Sequence, residues 1–350
     1  MMNTPNPSHN PHSILQHISG LTAQKDFDLL NFSLLKSLSA LMPKSRVQAL
    51  AVTQENRIVK QFTYARDGLD VNISDINVES RVKSALIRAH QAGLEEYVEL
   101  IDNQPLAIFE LSRERVISYY LLVAFPRTIT NADTYLITGV LEIYRNFSSL
   151  LINAQTDELT GLANRKTFAT AISRVYDSAQ AIRTTPNIEQ RSKNNSDDDE
   201  MCFWICAIDI DHFKAVNDNF GHLFGDEVLI RLAQLMQTEF RIDDLLFRFG
   251  GEEFIALVKA PDRKSVDVVL ERFRRAVEKL QFSQIGSVTV SLGVVKVDPS
   301  VFHMTLMDYA DQALYYSKQN GRNQVSFFED LVAKGIARTE TFEEGEVDLF

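Results

Sequence analysis

Glu252 and Glu253 follow directly on Gly250-Gly251, and apolar, β-favouring residues flank the group at 245–249 and 254–258. Two such runs around a Gly-Gly pair predict a hairpin with a two-residue primed turn, whose positive φ glycine adopts without steric cost. A backbone bare of side chains at Gly250 and Gly251 also lets a bulky polyanion lie against it. Strand alternation would send the two acids to opposite faces, so one at most reaches a given site and the other serves a neighbouring role. Taken alone, the group reads equally as a solvated acidic tip.

A second acidic pair stands upstream. Residues 203–208 (Phe-Trp-Ile-Cys-Ala-Ile) form a near-continuous apolar run, as in a strand buried on both faces, and it ends in Asp209-Ile210-Asp211. Carboxylates at the exit of a buried strand, beside a hairpin carrying more, suit a hard cation that takes oxygen ligands and substrate phosphates, namely Mg²⁺. Lys214, Asn217, Asp218, His222 and Asp226 follow, interrupted by Gly221 and Gly225. An amide and a carboxylate on one purine edge can select guanine, because the carboxylate accepts from N1–H and N2–H₂ while the amide donates to O6 or N7. Singly, each of these residues reads as a solvated loop residue.

Six segments occur in order: Asp157-Glu158-Leu159-Thr160-Gly161-Leu162-Ala163-Asn164-Arg165, Asp209-Ile210-Asp211-His212-Phe213-Lys214, Asn217-Asp218, Gly221-His222 with Gly225-Asp226-Glu227, Arg248-Phe249-Gly250-Gly251-Glu252-Glu253-Phe254, and Lys318-Gln319-Asn320-Gly321-Arg322-Asn323. Together, over roughly 155–330, they resemble the GGDEF family of diguanylate cyclases. The resemblance implies a nucleotidyltransferase that condenses two GTP into cyclic di-GMP with release of two pyrophosphates. It implies Mg²⁺, with Mn²⁺ as a substitute, held by Asp209, Glu252 and the backbone carbonyl of Ile210. Glu252 is then also the proton acceptor, Glu253 a catalytic neighbour, and Lys214 the group that stabilises charge on the phosphates. Backbone amides near His212 and Phe213, with Lys318 and Arg322, would hold the β- and γ-phosphates, while Asn217, His222 and Asp226 line the guanine pocket. Because each such domain binds one GTP, the resemblance implies a homodimer. Arg241 and Asp244 form an RxxD placed like the family's inhibitory product site for cyclic di-GMP, with Arg272 as a further contributor. Phe249 stands where the family often has Tyr, and no step requires that hydroxyl. A relative that only binds GTP or cyclic di-GMP would have lost a metal or guanine residue, and none is missing; a scaffold acting through its first domain is the third reading.

The rest of the chain must position this machinery. At 350 residues, 45% apolar and 24% charged, it has an ordinary globular composition with room for two domains. Its net charge of −11 argues against nucleic-acid or anionic-membrane binding. Cys202 and Cys206, four apart on one strand, sit more than about 10 Å from each other and cannot bridge. With no signal peptide and no apolar run long enough for membrane insertion, a cytoplasmic protein is expected.

Residues 1–22 read as a flexible leader whose His9, His12 and His17 are solvated. Residues 23–130 alternate as helix from 26, strands at 47–53 and 58–64, helix at 81–92 stopped by Gly93, and strands at 97–101, 106–111 and 116–125. That order resembles a GAF-like sensor and dimerisation domain, with a PAS-like domain as the alternative, and nothing in it identifies a ligand. In 131–156, Ile137, Val140, Tyr144, Phe147, Leu151 and Ala154 step by 3 and 4, which fits a coiled-coil signalling helix. Leu136, Leu141 and Leu150 widen the stripe and fit a helix packed on its own domain. The catalytic domain, 157–330, is expected to be α+β around an antiparallel-centred sheet, like the polymerase palm that the resemblance implies. A charged stretch at 184–200 is expected to be a mobile loop, and 331–350 an acidic tail.

Overall fold

The computed structural model describes residues 11–24, 27–65, 68–72, 76, 78–113, 117–184, 202–241 and 243–339. The chain divides into two units, Met1–Ala154 and Gln155–Phe350. Most of the charged stretch expected at 184–200, and the end of the acidic tail from 340, lie outside the described residues, as does His9.

The first unit runs α1 (Pro11–Thr22), α2 (Phe27–Leu41), β1 (Arg46–Thr53), β2 (Ile58–Ala65), β3 (Gly68–Asn72), α3 (Ser80–Ala92), β4 (Glu96–Ile101), β5 (Gln104–Arg113), β6 (Ile117–Ala124) and α4 (Asn131–Gln155). Its six strands form one antiparallel sheet in the order β3-β2-β1-β6-β5-β4. Alternation along β1 splits the sheet cleanly: Val47 and Ala49 face α2 and α4, while Leu50 and Val52 face α3.

Three expectations change here. The segment 11–22 is a helix rather than a flexible leader, because Ile18 and Leu21 recur at helical spacing and Leu21 is fully buried in the core. His17 on it is half-buried, and burial, with Lys36 nearby, pulls its pKa down. Strand β3 was not legible, since its Gly-Leu-Asp-Val-Asn is short and glycine-led. Finally, the stripe of α4 that could have paired with a partner chain is used at home: Ile137, Val140 and Tyr144 are buried and Phe147 and Leu151 half-buried against the first unit's own core. Tyr144 also donates to Asn31 Oδ1 at 2.6 Å.

The second unit runs β7 (Ala163–Asn164), α5 (Arg165–Thr184), β8 (Cys202–Ile210), α6 (Phe213–Phe220), α7 (His222–Glu239), β9 (Leu245–Arg248), β10 (Glu253–Ala260), α8 (Arg263–Lys279), β11 (Gln281–Phe282), β12 (Gly286–Ser287), β13 (Val290–Lys296), α9 (His303–Gln319), β14 (Val325–Phe327) and α10 (Phe328–Ala333). The main sheet has the order β14-β13-β8-β10-β9-β7. Its four central strands are antiparallel and only the short edges, β14 and β7, pair in parallel.

Strand β8 is central because both its faces are apolar. Trp204, Cys206, Ile208 and Ile210 meet α6, α7 and α8 on one side, and Ile205 and Ala207 meet α5 and α9 on the other. Each such buried side chain contributes about 2 kcal/mol relative to exposure. Both cysteines are free, and burial pushes the Cys206 thiol up. The same alternation puts Asp209 on the α9 face. Helix α9 lies directly on β13 at Gly293, where a Cβ would collide with the backbone of Ala310 and Leu314.

Neither backbone can yield at that contact, so Gly293→Ala is expected to destabilise the second unit by about 3 kcal/mol or more. The check is urea denaturation of the full chain; an unchanged midpoint would mean α9 is free to move off the sheet.

Candidate active site

The apolar register of β8 and β10 brings the acids together. Glu253 is the cross-strand partner of Asp209, and Ser291 flanks Asp209 from the other side. Asp209 is 4% exposed, and Lys318, near the end of α9, places its Nζ 2.8 Å from Asp209 Oδ2. Burial raises the Asp209 carboxyl; Lys318 opposes this, while Glu253 and Asp211 add to it. Glu252 is likewise raised, by burial and then by the Asp209 charge. The two carboxylates therefore sense each other in a partly desolvated corner.

The turn differs from expectation. Neither Gly250 nor Gly251 has a positive φ, and the connection from β9 to β10 is four residues long. The amides of Phe249 and Gly250 both donate to the carbonyl of Glu253, at 2.8 and 3.2 Å. What Gly250 supplies is room, since a Cβ there would collide with the Glu253 carboxylate. Because pleating starts only at Glu253, alternation does not send the two acids apart: Glu253 shares the Asp209 face, and Glu252, on the loop before it, lies near enough for the Asp209 charge to raise its carboxyl.

Asp211, quoted only as part of a motif, turns out to be an anchor. It is 5% exposed and accepts from Thr289 Oγ1 and Ser291 Oγ, both at 2.6 Å, and from the amide of Asn323 at 3.0 Å. It thus ties the loop carrying Arg322 and Asn323, both left-handed, to the exit of β8. Two positions apart, Asp209 and Asp211 would share a face if the strand continued, so spacing alone gave no sign of this separate role. Arg248 is the second anchor. It donates to Asp157 Oδ1 and Oδ2 at 2.9 and 3.1 Å and to the Gly251 carbonyl at 2.9 Å, fixing the acidic turn to the 157–162 segment. Burial works to raise Asp157, but bonds from Thr160 and Arg248 hold it below the usual carboxylate range. Phe249 serves as a platform, 4.6 Å from the Arg165 guanidinium and edge-on to Phe168.

The remaining expected residues lie on α6, on α7 and at the turn before α6. His212 is exposed and left-handed at the start of α6, Phe213 is buried beneath it, and Lys214 is exposed. His222 and Asp226 lie on the first turns of α7, which begins at His222 rather than at Val228. Asn217 on α6 lies over Gly225, so that a Cβ at 225 would strike its amide. Asn217 and Asp226 are half-buried and His222 is exposed.

The RxxD pair is split in role. Asp244 is 7% exposed and its carboxylate accepts from the amides of Arg241 (2.8 Å) and Lys259 (3.1 Å), so it holds the turn rather than offering a free carboxylate. Arg241 is exposed, and Arg272 is paired with Glu239 at 2.8 Å.

The donor set fits a divalent cation. Asp209 and Glu252, both raised by burial and by neighbouring acids, would be stabilised by a hard cation in place of protons. Among the described residues no three His, Cys, Asp or Glu side chains form a closed cluster. A cation here would keep positions for water or phosphate, as Mg²⁺ does.

Residues 183–324 match the family described as "Diguanylate cyclase, GGDEF domain". The chain is 31% identical to the GGDEF domain of DgcB from Caulobacter crescentus, solved in complex with c-di-GMP. That alignment covers 50% of this chain and 96% of that one, with a TM-score of 0.44. The chain belongs to the GGDEF family. Among curated proteins, diguanylate cyclase DgcP of Pseudomonas aeruginosa is 35% identical over 175 residues, 49% of this chain and 24% of that protein. The probable diguanylate cyclase DgcT of Escherichia coli is 31% identical over 229 residues, 63% and 45% of the two chains. This GGDEF chain thus spans less than half the length of these curated relatives. No helix among its described residues is long and apolar enough to cross a membrane.

Because the folded state raises the Glu252 carboxyl, ionised Glu252 costs stability in the cation-free protein at neutral pH. Glu252→Gln is therefore expected to leave stability unchanged or higher at pH 7 without divalent cations. Any gain should disappear as pH falls through the carboxylate range, where wild type is protonated. Thermal melts in chelator across pH 4–8 (roughly spanning that range) check this; a loss of stability at pH 7 would contradict it.

Proposed function

We propose that the protein is a diguanylate cyclase: two GTP molecules condense to cyclic di-GMP and two pyrophosphates are released. The observation that carries this reading is the meeting of Asp209, Glu252 and Glu253 around one strand exit, with Lys318 from α9 on the same spot.

In each half-reaction the 3′-OH of one GTP attacks the α-phosphorus of the other, forming the phosphodiester O–P bond as the bond to pyrophosphate breaks. Glu252, with its raised carboxyl, is suited to accept the hydroxyl proton near neutral pH. Asp209, Glu252 and the Ile210 carbonyl would hold Mg²⁺ or Mn²⁺. When bound, that ion neutralises phosphate charge and lowers the pKa of the attacking hydroxyl. Glu253 sets the charge of the corner and keeps its carboxylate over Gly250. Lys214, exposed one residue into α6, reaches toward developing phosphate charge. The turn at His212 and Phe213, with Lys318 and Arg322, grips the β- and γ-phosphates. Asn217, His222 and Asp226 read guanine from the α6–α7 edge.

A single domain of this kind holds one GTP, so product forms between two copies, which makes a homodimer the working unit. The first unit, a six-stranded sheet with helices on both faces, serves as a GAF-like sensor that regulates this pairing. Exposed Arg241 is the open part of the RxxD, and it supports product inhibition by cyclic di-GMP there, with Asp244 presenting it.

Purified protein incubated with GTP and Mg²⁺ should yield cyclic di-GMP, and Glu252→Ala should lower the rate by about 1,000-fold or more. No cyclic dinucleotide from wild type, with GTP still bound, would favour a nucleotide receptor instead.

A further inference from the structure

On the α3 face of the first unit's sheet, the side chains change character from one end to the other. Leu50, Val52, Ile108 and Tyr120 are buried under Ala85, Leu86 and Ala89 of α3. Toward the N-terminal end of that 13-residue helix, where Val82 lines the gap, the same face carries Arg46, Gln48, Gln61, Thr63 and Gln104. These are neighbours across adjacent strands, since Gln48 pairs with Thr63 on β2 and with Leu122 on β6, and Arg46 pairs with Ala124. They line a cavity of about 550 Å³, within the size range of small-molecule sites.

A sheet does not bury amides without a use for them. Gln61 is 7% exposed, and its Nε2 donates to Gln48 Oε1 at 3.0 Å. One bond leaves these two amides with three N–H donors and further acceptor capacity for water or a ligand in the cavity they line. At the rim stand Lys44 and Arg46, neither in an ion pair among the described residues. The acids nearby differ: Asp102 is already neutralised by Arg81, leaving Glu79 alone opposite two cations. None of the lining residues is aromatic, so a nucleobase, flavin or tetrapyrrole would find no ring to stack on.

We propose that this cavity is a binding site for a small organic carboxylate. Arg46 and Lys44 take its carboxylate, and the Gln48–Gln61 pair, with Thr63, hydrogen-bonds the polar remainder. Arginine suits this role because its planar fork matches a carboxylate with two parallel bonds. The apolar floor, Leu106 and Leu122, limits the ligand to a short carbon chain. The proposal concerns the first unit alone and stands whether or not the second unit makes cyclic di-GMP.

The test is calorimetric titration of the full chain with succinate, citrate, L-glutamate and inorganic phosphate, with thermal melts in parallel. At least one carboxylate should bind saturably and raise the melting temperature, more tightly than phosphate. Arg46→Gln, an exposed rim change that leaves the unliganded melt unaltered, should weaken that binding about 10-fold or more, and Gln61→Met should do likewise. Arg57→Gln, outside the cavity, should change nothing. Binding that survives Arg46→Gln, phosphate binding as tightly as every carboxylate, or no carboxylate binding up to about 10 mM would each overturn the proposal.

Discussion

A carboxylate buried at the end of a central strand with other acids facing it is a costly arrangement, and the second unit is built around that cost. Asp209 sits there because the alternation of β8 gives it no other face, and Glu253 is its direct neighbour across the ladder. Without an added cation, one positive group offsets the repulsion: the Lys318 ammonium, 2.8 Å from Asp209. Deleting one partner of such a pair typically costs about 3–5 kcal/mol, because the other is left buried and uncompensated. On the proposed reading, a divalent ion with a polyphosphate would relieve the same repulsion.

Positioning relies on a small number of polar ties rather than on the apolar core. Asp211 joins the exit of β8 to the loop after α9, and Arg248 joins the acidic turn to Asp157. Gly293 lets α9 lie close enough on β13 for Lys318 to reach the corner. Both polar ties span residues far apart in sequence, 112 positions for Asp211–Asn323 and 91 for Arg248–Asp157. Local changes in either loop would therefore be felt at the acids.

The main strands and most helix limits of both units could be read from apolar periodicity, because β8, β10 and β13 are buried runs and α8 carries a clear apolar stripe. The acids at the two strand ends and Lys318 could be singled out in the sequence, and the fold brings Asp209, Glu253 and Lys318 together. What was not legible depended on tertiary context. Gly250 reads as a source of positive φ, yet its φ is not positive and what a side chain there would meet is the Glu253 carboxylate. Asp244 reads as a free carboxylate, yet backbone amides already occupy it. The α4 stripe fits a coiled coil and a self-packed helix equally until the sheet beneath it is seen. Asp211 and Arg248 could be quoted as motif letters, but their partners lie too far along the chain for spacing to reveal them.

The proposed reaction depends on Asp209 and Glu252 sharing one divalent cation. The most direct measurement is electron paramagnetic resonance of Mn²⁺ titrated into the protein with a non-reacting GTP analogue, for wild type, Asp209→Asn and Glu252→Gln. Both substitutions should weaken Mn²⁺ binding by about 10-fold or more, since each removes one of two protein carboxylate ligands. Tight binding that persists when either carboxylate is lost would contradict the shared site.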